Sequence, residues 1–485
     1  EAMIGKIAKL FLMCTLLLAG ESFADLPYAL KFSCSKSTDD VYTCDIEQLQ
    51  SSKPTANTYT TWGSFLQAFQ TEIESKLDIS KNPSAKTDYS GFVIRFNSNI
   101  DFGGYQKTGD VITCRDATFA PMNFGPLAFQ PTIDGNGKTI KNFCYIAEDV
   151  NAAFFSNLSN TTVKNITFSD AYVKAKTVSG AHLCGGACNA SVVANTVQNV
   201  NFENVVVRGA VVYGWQTSTL AITAGTGNTD KNTPAVSLKK IKIDHVTLGM
   251  TPDVIAEHPM LDLIESAPSA SGGIIADVGG HVSMEDSIKV LNLSVPDSIS
   301  KIYKDVSGTE YIGNRYVGGI AGRFTPSARD ADFTLDSIEV SADLSGLWVG
   351  GLFGRVSIDN DNLLGSSNFN VTNAKVTLNS PVYLGNTGDN RNRYFGGLVG
   401  EWIWLRGKVV LSNDTVDVSA DWRGDKDFAG TAYMGGLAGF ITGKEDGVSL
   451  VDVLAENNTV TAEMLTSSRN VYAGGILGRV NLEKD

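Results

Sequence analysis

The sequence predicts an all-β fold, a parallel β-helix (solenoid) preceded by a short N-terminal capping segment that contains one α-helix. Three observations lead to this prediction: a glycine motif recurs along the chain, short alternating strand segments fill most of it, and one amphipathic segment precedes them. The motif consists of an aromatic residue, any residue, Gly-Gly, an aliphatic residue, any residue and Gly. It occupies residues 316–322, 348–354, 394–400, 433–439 and 472–478.

The spacing of the motif indicates how the solenoid is built. The first glycines stand at 318, 350, 396, 435 and 474, so the steps are 32, 46, 39 and 39 residues. Two looser relatives, Gly272-Gly-Ile-Ile and Gly185-Gly-Ala-Cys, extend the series upstream. Each later unit also contains a second strand segment, such as Thr415-Val-Asp-Val-Ser-Ala420. We therefore expect about two turns of the solenoid per unit and roughly 10 Å between successive motifs.

A structural role explains the glycines. A chain that bends sharply between stacked neighbouring turns needs residues without Cβ at the corner. The flanking aliphatic residues would fill the interior, and each aromatic residue would stack on its equivalent in the next turn. We therefore predict that the motifs stack in register on one corner of the solenoid.

Two parts of the β-helix are predicted, residues 91–300 with degenerate repeats and residues 301–485 with regular ones. Alternating segments begin at Phe92-Val-Ile-Arg-Phe96 and end at Gly, Asn or Asp, which is typical of half-buried strands with tight bends. The chain stops at Asp485 soon after its last motif. We therefore expect the regular part to be truncated at the C-terminus, with its last turn exposed.

Residues 25–90 form the predicted N-terminal capping segment. Within 60–77, apolar residues recur at near-helical spacing, namely Trp62, Phe65, Phe69, Ile73 and Leu77. Thr60 or Thr61 is available as the N-cap of this helix. A helix laid across the first turn would cover an apolar end of the solenoid that water would otherwise reach.

Residues 1–24 are predicted to be a signal peptide. Lys6 and Lys9 form a short basic region, Leu10 to Leu18 is apolar, and Ser22-Phe-Ala24 is a small-residue cleavage site. Met3 is the expected start of translation. No later run reaches the roughly 20 apolar residues of a membrane span. The sequence therefore predicts an exported protein, extracellular or at the cell surface, without a transmembrane segment after signal cleavage.

Composition and charge narrow the possible partners. The 485 residues include 48 Gly and 13 Pro, and 43% of them are hydrophobic, so the chain is neither disordered nor collagen-like. The formal net charge is −13, and no basic run is available to neutralise phosphates. These features argue against nucleic acid as a partner.

Six cysteines remain after the signal peptide, at positions 34, 44, 114, 144, 184 and 188. An even number in an exported chain suggests disulfide bonds, although six cysteines allow about 15 full pairings. We expect Cys34 to pair with Cys44, because the loop between them precedes the repeats and needs a covalent tie. Cys184 and Cys188 would be roughly 13 Å apart on an extended strand, too far for a bond unless the backbone turns there.

On these residues the chain resembles the family of exported bacterial proteins that carry GLUG repeats, whose hallmark segment is matched by Gly396-Gly-Leu-Val-Gly400. The stretch from Trp62 through 100–104 to 134–140 is also similar to the opening of pectate-lyase-like β-helices of surface proteins. The likeness covers about residues 60–480, and the first two-thirds contains only loose motif copies. It implies a right-handed β-helix and a role in adhesion or surface display.

A carbohydrate-active β-helix, either a polysaccharide lyase or a glycoside hydrolase, or a carbohydrate-binding module, is the alternative function. Catalysis would need paired carboxylates or an Arg or Lys base on one face. Asn228-Thr-Asp230 is similar to an element of polygalacturonases, but no Asp-Asp pair follows it, and Arg406-Gly-Lys408 matches only in outline. Ile243-Asp-His-Val246 lacks the Trp of the comparable pectate-lyase strand, so we predict that His245 is a surface or strand-end histidine. We expect no catalytic residues.

Two segments contain metal-ligand residue types. His182-Leu-Cys-Gly-Gly-Ala-Cys188 has no second cluster to complete four ligands, and a disulfide or a free thiol explains it better. Asp359-Asn-Asp-Asn362 lacks the Gly and distal Glu of an EF-hand loop and is typical of a solvated turn. We therefore predict no metal site and no cofactor.

Trp402 and Trp404 are the best candidates for ligand binding. On a strand both indoles face one side, while Ile403 and Leu405 face the other. If the aliphatic side is the core, the two tryptophans form an exposed platform for a polysaccharide or for a host or cell-surface protein. The alternative is that they cover a loop or face inward. The sequence thus predicts a non-enzymatic exported surface protein, structural or adhesive.

Overall fold

The computed structural model describes most of the chain after its first 28 residues. The described ranges are 29–38, 41–49, 57–76, 91–124, 130–148, 150–176, 188–225, 234–250, 269–296, 303–304, 310–311, 316–325, 333–357, 368–381, 392–403, 407–422, 430–445, 451–466 and 470–484. The predicted signal peptide lies outside them.

The elements are strands of 2 to 15 residues, with a single described helix. The first are β1 (Leu30–Lys36), β2 (Tyr42–Gln48), α1 (Trp62–Lys76), β3 (Phe92–Phe96), β4 (Ile100–Asp101), β5 (Tyr105–Thr108) and β6 (Val111–Cys114). The middle ones are β7 (Thr132–Lys141), β8 (Cys144–Glu148), β9 (Phe155–Ser169), β10 (Tyr172–Lys176), β11 (Ala190–Ser191), β12 (Ala194–Arg208), β13 (Val211–Tyr213), β14 (Thr217–Ser218), β15 (Ala221–Ala224), β16 (Val236–Asp244), β17 (Thr247–Gly249), β18 (Ala270–Gly272), β19 (Ile275–Val278) and β20 (Val282–Val295). The last are β21 (Tyr303–Lys304), β22 (Glu310–Tyr311), β23 (Tyr316–Gly318), β24 (Ala321–Phe324), β25 (Phe333–Asp336), β26 (Ile338–Leu344), β27 (Trp348–Gly350), β28 (Phe353–Ser357), β29 (Phe369–Thr372), β30 (Lys375–Ser380), β31 (Arg393–Gly396), β32 (Val399–Ile403), β33 (Gly407–Ser412), β34 (Thr415–Trp422), β35 (Thr431–Gly435), β36 (Ala438–Glu445), β37 (Val451–Glu456), β38 (Thr459–Thr466), β39 (Asn470–Gly474) and β40 (Leu477–Lys484).

The fold is all-β, a parallel β-helix, as predicted. From β23 to β38 each turn contains four strands, and each strand pairs in parallel with its equivalent in the next turn, as in the series β23, β27, β31, β35 and β39. Apolar side chains of all four faces meet inside and form one continuous core along the solenoid. The strand segments are short because each must end at a corner of the turn.

The motif glycines stack in register, which confirms that prediction, but each repeat unit forms one turn rather than two. Gly318 pairs with Gly350, Gly350 with Gly396, and the same column continues to Gly435 and Gly474. Successive motifs are therefore one strand spacing apart, about 4.8 Å, and not 10 Å. The second strand segment of each unit lies on another face of the same turn, which periodicity alone could not distinguish from a new turn.

Upstream, the glycine column extends to Gly272 as expected and then continues with serine. Gly272 pairs with Gly318, Ser218 with Gly272, and Ser191 with Ser218. The looser copy at Gly185 lies outside the described residues, and this column passes through Ser191 instead. The Ser218 hydroxyl donates to the Ala221 carbonyl oxygen over 2.5 Å. A hydroxyl group thus occupies the corner position that glycine takes in later turns.

Asparagine and its substitutes form a second column, at a corner with left-handed backbone. These residues have φ between +53° and +66° and occupy equivalent positions in successive turns. The first four lie within long strands, and the last four lie one or two residues before a strand; they are Asn165, Asn204, Lys240, Ser287, Ser337, Asn373, Asn413 and Asn457. Asn tolerates this conformation better than other residues with a side chain. The Asn204 amide also donates to Asn165 Oδ1 over 3.0 Å, so the corner is bonded from turn to turn.

The N-terminal segment covers the first turn of the solenoid. β1 pairs antiparallel with β2, and β2 pairs in parallel with β3, so the hairpin supplies the first strand of the β-helix. Helix α1 begins after Thr61, whose Oγ1 accepts a hydrogen bond from Ser64 N over 3.3 Å, which confirms it as the N-cap. The helix buries its apolar face over the end of the core, with Trp62, Phe65, Leu66, Phe69 and Ile73.

The described helix is not long and apolar enough to cross a membrane. On the last described turn, apolar side chains are exposed by 41–46%, namely Val471, Tyr472, Ile476 and Val480.

Candidate functional site

The motif corner is the first candidate surface, because the most regular part of the sequence converges there. We define it as the bend between two walls of each turn, the wall that contains β23, β27, β31, β35 and β39 and the wall that contains β24, β28, β32, β36 and β40. A Cβ on Gly350 would collide with the Phe353 carbonyl oxygen, and one on Gly354 with the Val317 amide and the Gly322 carbonyl. The two walls therefore approach each other so closely that only glycine fits between their backbones.

The first wall presents a column of aromatic rings. Tyr316 and Trp348 have ring centroids 4.6 Å apart, and the distances onward to Tyr394, Tyr433 and Tyr472 are 5.5, 5.0 and 5.3 Å. The last three pairs are stacked, with planes within 12° of parallel. The predicted stacking of the motif aromatics along the axis is thus confirmed.

The second wall presents a column of charged residues that pair with their neighbours along the axis. Arg323 pairs with Asp277 of the preceding turn. Arg355 Nε lies 3.0 Å from Glu401 Oε2 of the following turn, and Arg479 lies over the Tyr472 ring at 4.6 Å. The charges are therefore neutralised or placed over aromatic rings within the corner.

The aromatic column is largely covered by the two walls. Tyr316, Tyr394 and Tyr433 are only 7–8% exposed. Burial raises the pKa of the Tyr394 hydroxyl far above its usual range, and the carboxylate of Glu401 adds to the effect. Rings so covered stabilise the corner and leave little face for a sugar or a protein to stack on.

Trp402 does not belong to an exposed platform, so this prediction was wrong. Its side chain is 0% exposed and packs edge-on against Phe369, with ring centroids 4.8 Å apart. Trp402 pairs with Val356 in the preceding turn and with Ile441 in the following one, both of which face the core. Aligning the repeats would have indicated this, because the same position is apolar in its neighbours. Trp404 lies outside the described residues.

The cysteines form the expected bond and one that was missed. Cys34 is linked to Cys44, as predicted, and Cys114 is linked to Cys144 across 30 residues of sequence. Cys188 is disulfide-bonded as well, which removes its thiolate as a metal ligand. The Cys114–Cys144 bond has no signal in the spacing, because it joins a surface hairpin to a turn of the solenoid.

Most of the sequence motifs that were weighed for catalysis or metal binding lie outside the described part of the chain. Asn228–Asp230, Arg406, Asp359–Asn362 and His182 lie outside the described residues. The His245 side chain is 72% exposed, and its Nδ1 lies 2.6 Å from Asp244 Oδ1, so the prediction of a surface histidine is confirmed. No group of three His, Cys, Asp or Glu side chains that could hold a metal ion occurs among the described residues.

Asp414 is a buried acid that sequence reasoning did not single out. It stands next to the left-handed Asn413, at a position that is apolar in earlier turns, and it is 1% exposed. Ala374 N donates to its Oδ1 over 2.9 Å, while Oδ2 is buried without a hydrogen-bond partner. Burial raises the pKa of this carboxyl to about 6. Because Asp414 faces the core, it is not placed to act on a substrate.

Comparison with known proteins assigns no family. No protein-family model matches the chain, and no curated protein matches it. A solved structure that resembles it is a putative immunoglobulin A1 protease from Bacteroides ovatus, with 14% sequence identity and a TM-score of 0.29 over 80% of this chain and 77% of that chain. A similarity this low supports no inference about function.

Proposed function

We propose that the protein is an exported, non-enzymatic bacterial surface protein of the GLUG-repeat type, structural or adhesive in function. The observation that carries this proposal is that charged side chains of the described turns form ion pairs between neighbouring turns. They bond neighbouring turns to each other along the length of the solenoid; the pairs are Asp45–Arg95, Asp101–Lys141, Asp134–Lys164, Glu148–Lys176, Asp277–Arg323, Lys289–Glu339 and Arg355–Glu401.

This distribution favours a scaffold over a carbohydrate-active enzyme. A polysaccharide lyase or glycoside hydrolase needs an acid and a base that converge on one groove and stay free to exchange protons. In the described turns the acids and bases are spread over the faces of the solenoid, and many of them pair across turns. The disulfide bonds of the described cysteines support export, because such bonds persist in oxidising compartments.

Two measurements on the full chain test the proposal. Expressed in a Gram-negative bacterium, the protein should be labelled on intact cells by a membrane-impermeant amine reagent. If the protein were labelled only after the cells had been lysed, that result would contradict a surface location. Labelling of a cytoplasmic enzyme in the same cells reports lysis and serves as the control.

The absence of catalysis is tested on polysaccharides. The purified protein should release neither reducing ends nor unsaturated products from pectin, polygalacturonate, xylan or cellulose. Turnover that is abolished by Asp230→Ala would overturn the non-enzymatic proposal and establish the carbohydrate-active alternative.

A further inference from the structure

A cleft on the side of the solenoid lies beneath the β5–β6 hairpin. The hairpin is tied to the solenoid at its base by the Cys114–Cys144 bond and by the hydrogen bond from Arg115 N to the Gly104 carbonyl oxygen, 3.0 Å. On the other strand of the hairpin, Tyr105 is directly opposite Cys114, and its ring centroid lies 5.0 Å from that of Tyr172. The cleft is open to solvent, and its volume is about 360 Å³, within the range of small-ligand sites.

One wall of the cleft is aromatic and accessible. Tyr105 is 41% exposed, whereas Tyr172 beneath it is 4% exposed and fixes the position of its ring. Tyr172 in turn contacts Tyr213 of the next turn, with ring centroids 6.1 Å apart. A tyrosine ring held in this way offers a rigid face at low entropic cost to a ligand that stacks on it.

The floor of the cleft is formed by a third corner column with left-handed backbone. Asn142, Asp170 and Gly209 have φ of +57°, +56° and +65°, and each donates its backbone N–H to a carbonyl oxygen of the next turn. A Cβ on Gly209 would lie 2.6 Å from Asp170 Oδ1. The absence of a side chain at Gly209 therefore leaves one side of the Asp170 carboxylate open to the cleft.

The polar groups on this floor are mainly hydrogen-bond acceptors. No described residue donates a hydrogen bond to the Asp170 carboxylate or forms an ion pair with it. The Asn142 amide is oriented by donation from Nδ2 to Asp101 Oδ1 over 2.9 Å, which leaves its own Oδ1 as an acceptor. Gly103 and Gly104, both with positive φ, bring backbone rather than side chains to the rim.

We propose that this cleft binds a neutral oligosaccharide. The apolar face of a sugar ring would stack on Tyr105, and ring hydroxyls would donate to Asp170 and Asn142. A negatively charged sugar is disfavoured, because its carboxylate would be held close to that of Asp170, which forms no ion pair with a described residue. The proposal rests on the adhesive form of the proposed function and names its ligand class.

Binding is tested with the purified full chain and a panel of neutral hexaoses, namely cello-, laminari-, manno- and xylohexaose, together with oligogalacturonate as the charged probe. We expect at least one neutral hexaose to bind by isothermal titration calorimetry, and Tyr105→Ala and Asp170→Asn each to weaken that binding at least tenfold. Two matched variants should bind as the parent does: Tyr472→Ala, which removes an equally exposed tyrosine at the far end, and Asp110→Asn, on the same hairpin.

The outcomes separate this proposal from the proposed function. Three results would overturn the proposal that the cleft binds a neutral oligosaccharide: binding to no neutral hexaose, preference for oligogalacturonate, or binding that is unchanged in both cleft variants. Those results would not affect the proposals of a surface location and of no polysaccharide cleavage, which have their own tests. Circular dichroism and the melting temperature of each variant show whether it is folded. If Tyr105→Ala does not fold, the test depends on Asp170→Asn, which keeps the shape of the side chain.

Discussion

The indole Nε1 of Trp348 donates a hydrogen bond to Glu401 Oε2 over 2.8 Å, across the motif corner and between two turns of the solenoid. The same oxygen lies 3.0 Å from Arg355 Nε. Glu401 is 6% exposed, so its charge is balanced in a place that water hardly reaches. One carboxylate thus joins an aromatic residue of the first wall to a cation of the second.

Removing this acceptor should destabilise the solenoid. Glu401→Leu leaves the Trp348 N–H without its hydrogen-bond acceptor and the Arg355 cation without its paired carboxylate. We expect a loss of about 2–4 kcal/mol in the free energy of unfolding. Glu401→Gln keeps an acceptor and should cost less. Urea denaturation followed by circular dichroism measures both. The control, Glu339→Gln, weakens a more exposed pair with Lys289 and should cost under about 1 kcal/mol. Equal costs at 401 and 339 would contradict the role of the corner pair.

The second glycine of the motif should be indispensable inside the solenoid and replaceable at its last described turn. A Cβ on Gly397 would collide with the Gly436 carbonyl oxygen and with Val416 Cγ1, whereas a Cβ on Gly475 would meet nothing within 4 Å. We expect Gly397→Ala to lower the free energy of unfolding by about 3 kcal/mol or more, because backbone atoms must move. Gly475→Ala should change it by less than about 0.5 kcal/mol. Thermal unfolding of both variants checks this, and similar melting temperatures would contradict the close approach.

Asp414 should make the stability fall as pH rises from 4 to 7. Its pKa in the folded state is raised to about 6 from an ordinary value of 3.8, so the folded state holds the proton more tightly than the unfolded state between these values. Stability is therefore greatest below pH 4 with respect to this group and is lost as it ionises, by about 3 kcal/mol at pH 7.

Asp414→Asn should remove that loss, because the amide keeps an oxygen for Ala374 N and cannot ionise. Unfolding in urea at pH 4, 5, 6 and 7 gives the difference between variant and parent at each pH. We expect the variant to gain about 2–3 kcal/mol relative to the parent over this range. Asp417→Asn, at an exposed position of the following strand, is the control and should leave the profile parallel to that of the parent. A constant difference for Asp414→Asn would show that this carboxyl does not titrate as inferred.

The two described disulfide bonds should be detected directly. Peptide mapping of the non-reduced purified protein by mass spectrometry should recover a Cys34–Cys44 link and a Cys114–Cys144 link, and Cys188 should not react with a thiol reagent. Double replacement of Cys114 and Cys144 by Ser should release the β5–β6 hairpin and increase amide exchange at 105–114, while exchange in β12 stays slow. A link between Cys114 and Cys188, or unchanged exchange in the hairpin, would contradict the arrangement.

Local features of the sequence predicted much of the fold. The apolar spacing from Trp62 to Ile73 predicted the capping helix, because a helix needs only neighbours three and four residues away to define its face. The recurring glycine motif predicted the in-register corner and the stacked aromatics, since equivalent residues of a solenoid meet their own copies. The Cys34–Cys44 bond followed from short separation in sequence.

Features that depend on how a turn closes were not predicted. The number of strands in a turn could not be counted from periodicity, because strands on different faces of one turn have the same alternation as strands in successive turns. For the same reason the side that Trp402 faces was left open and its exposure was only a candidate, since alternation states that two residues share a side but not which side is the core. Asp414 was missed because nothing local distinguishes an inward carboxylate from an outward one.

By itself, the sequence determined that the chain forms a solenoid, where its corners lie and which residues stack there, because repetition imposes the same local conformation on each turn. Only the tertiary structure decided the length of a turn, the buried side of β32, the Cys114–Cys144 bond and the cleft beneath the hairpin. These features join residues that are distant in sequence, and their formation depends on the free energy of packing one turn against another rather than on the preference of any short segment.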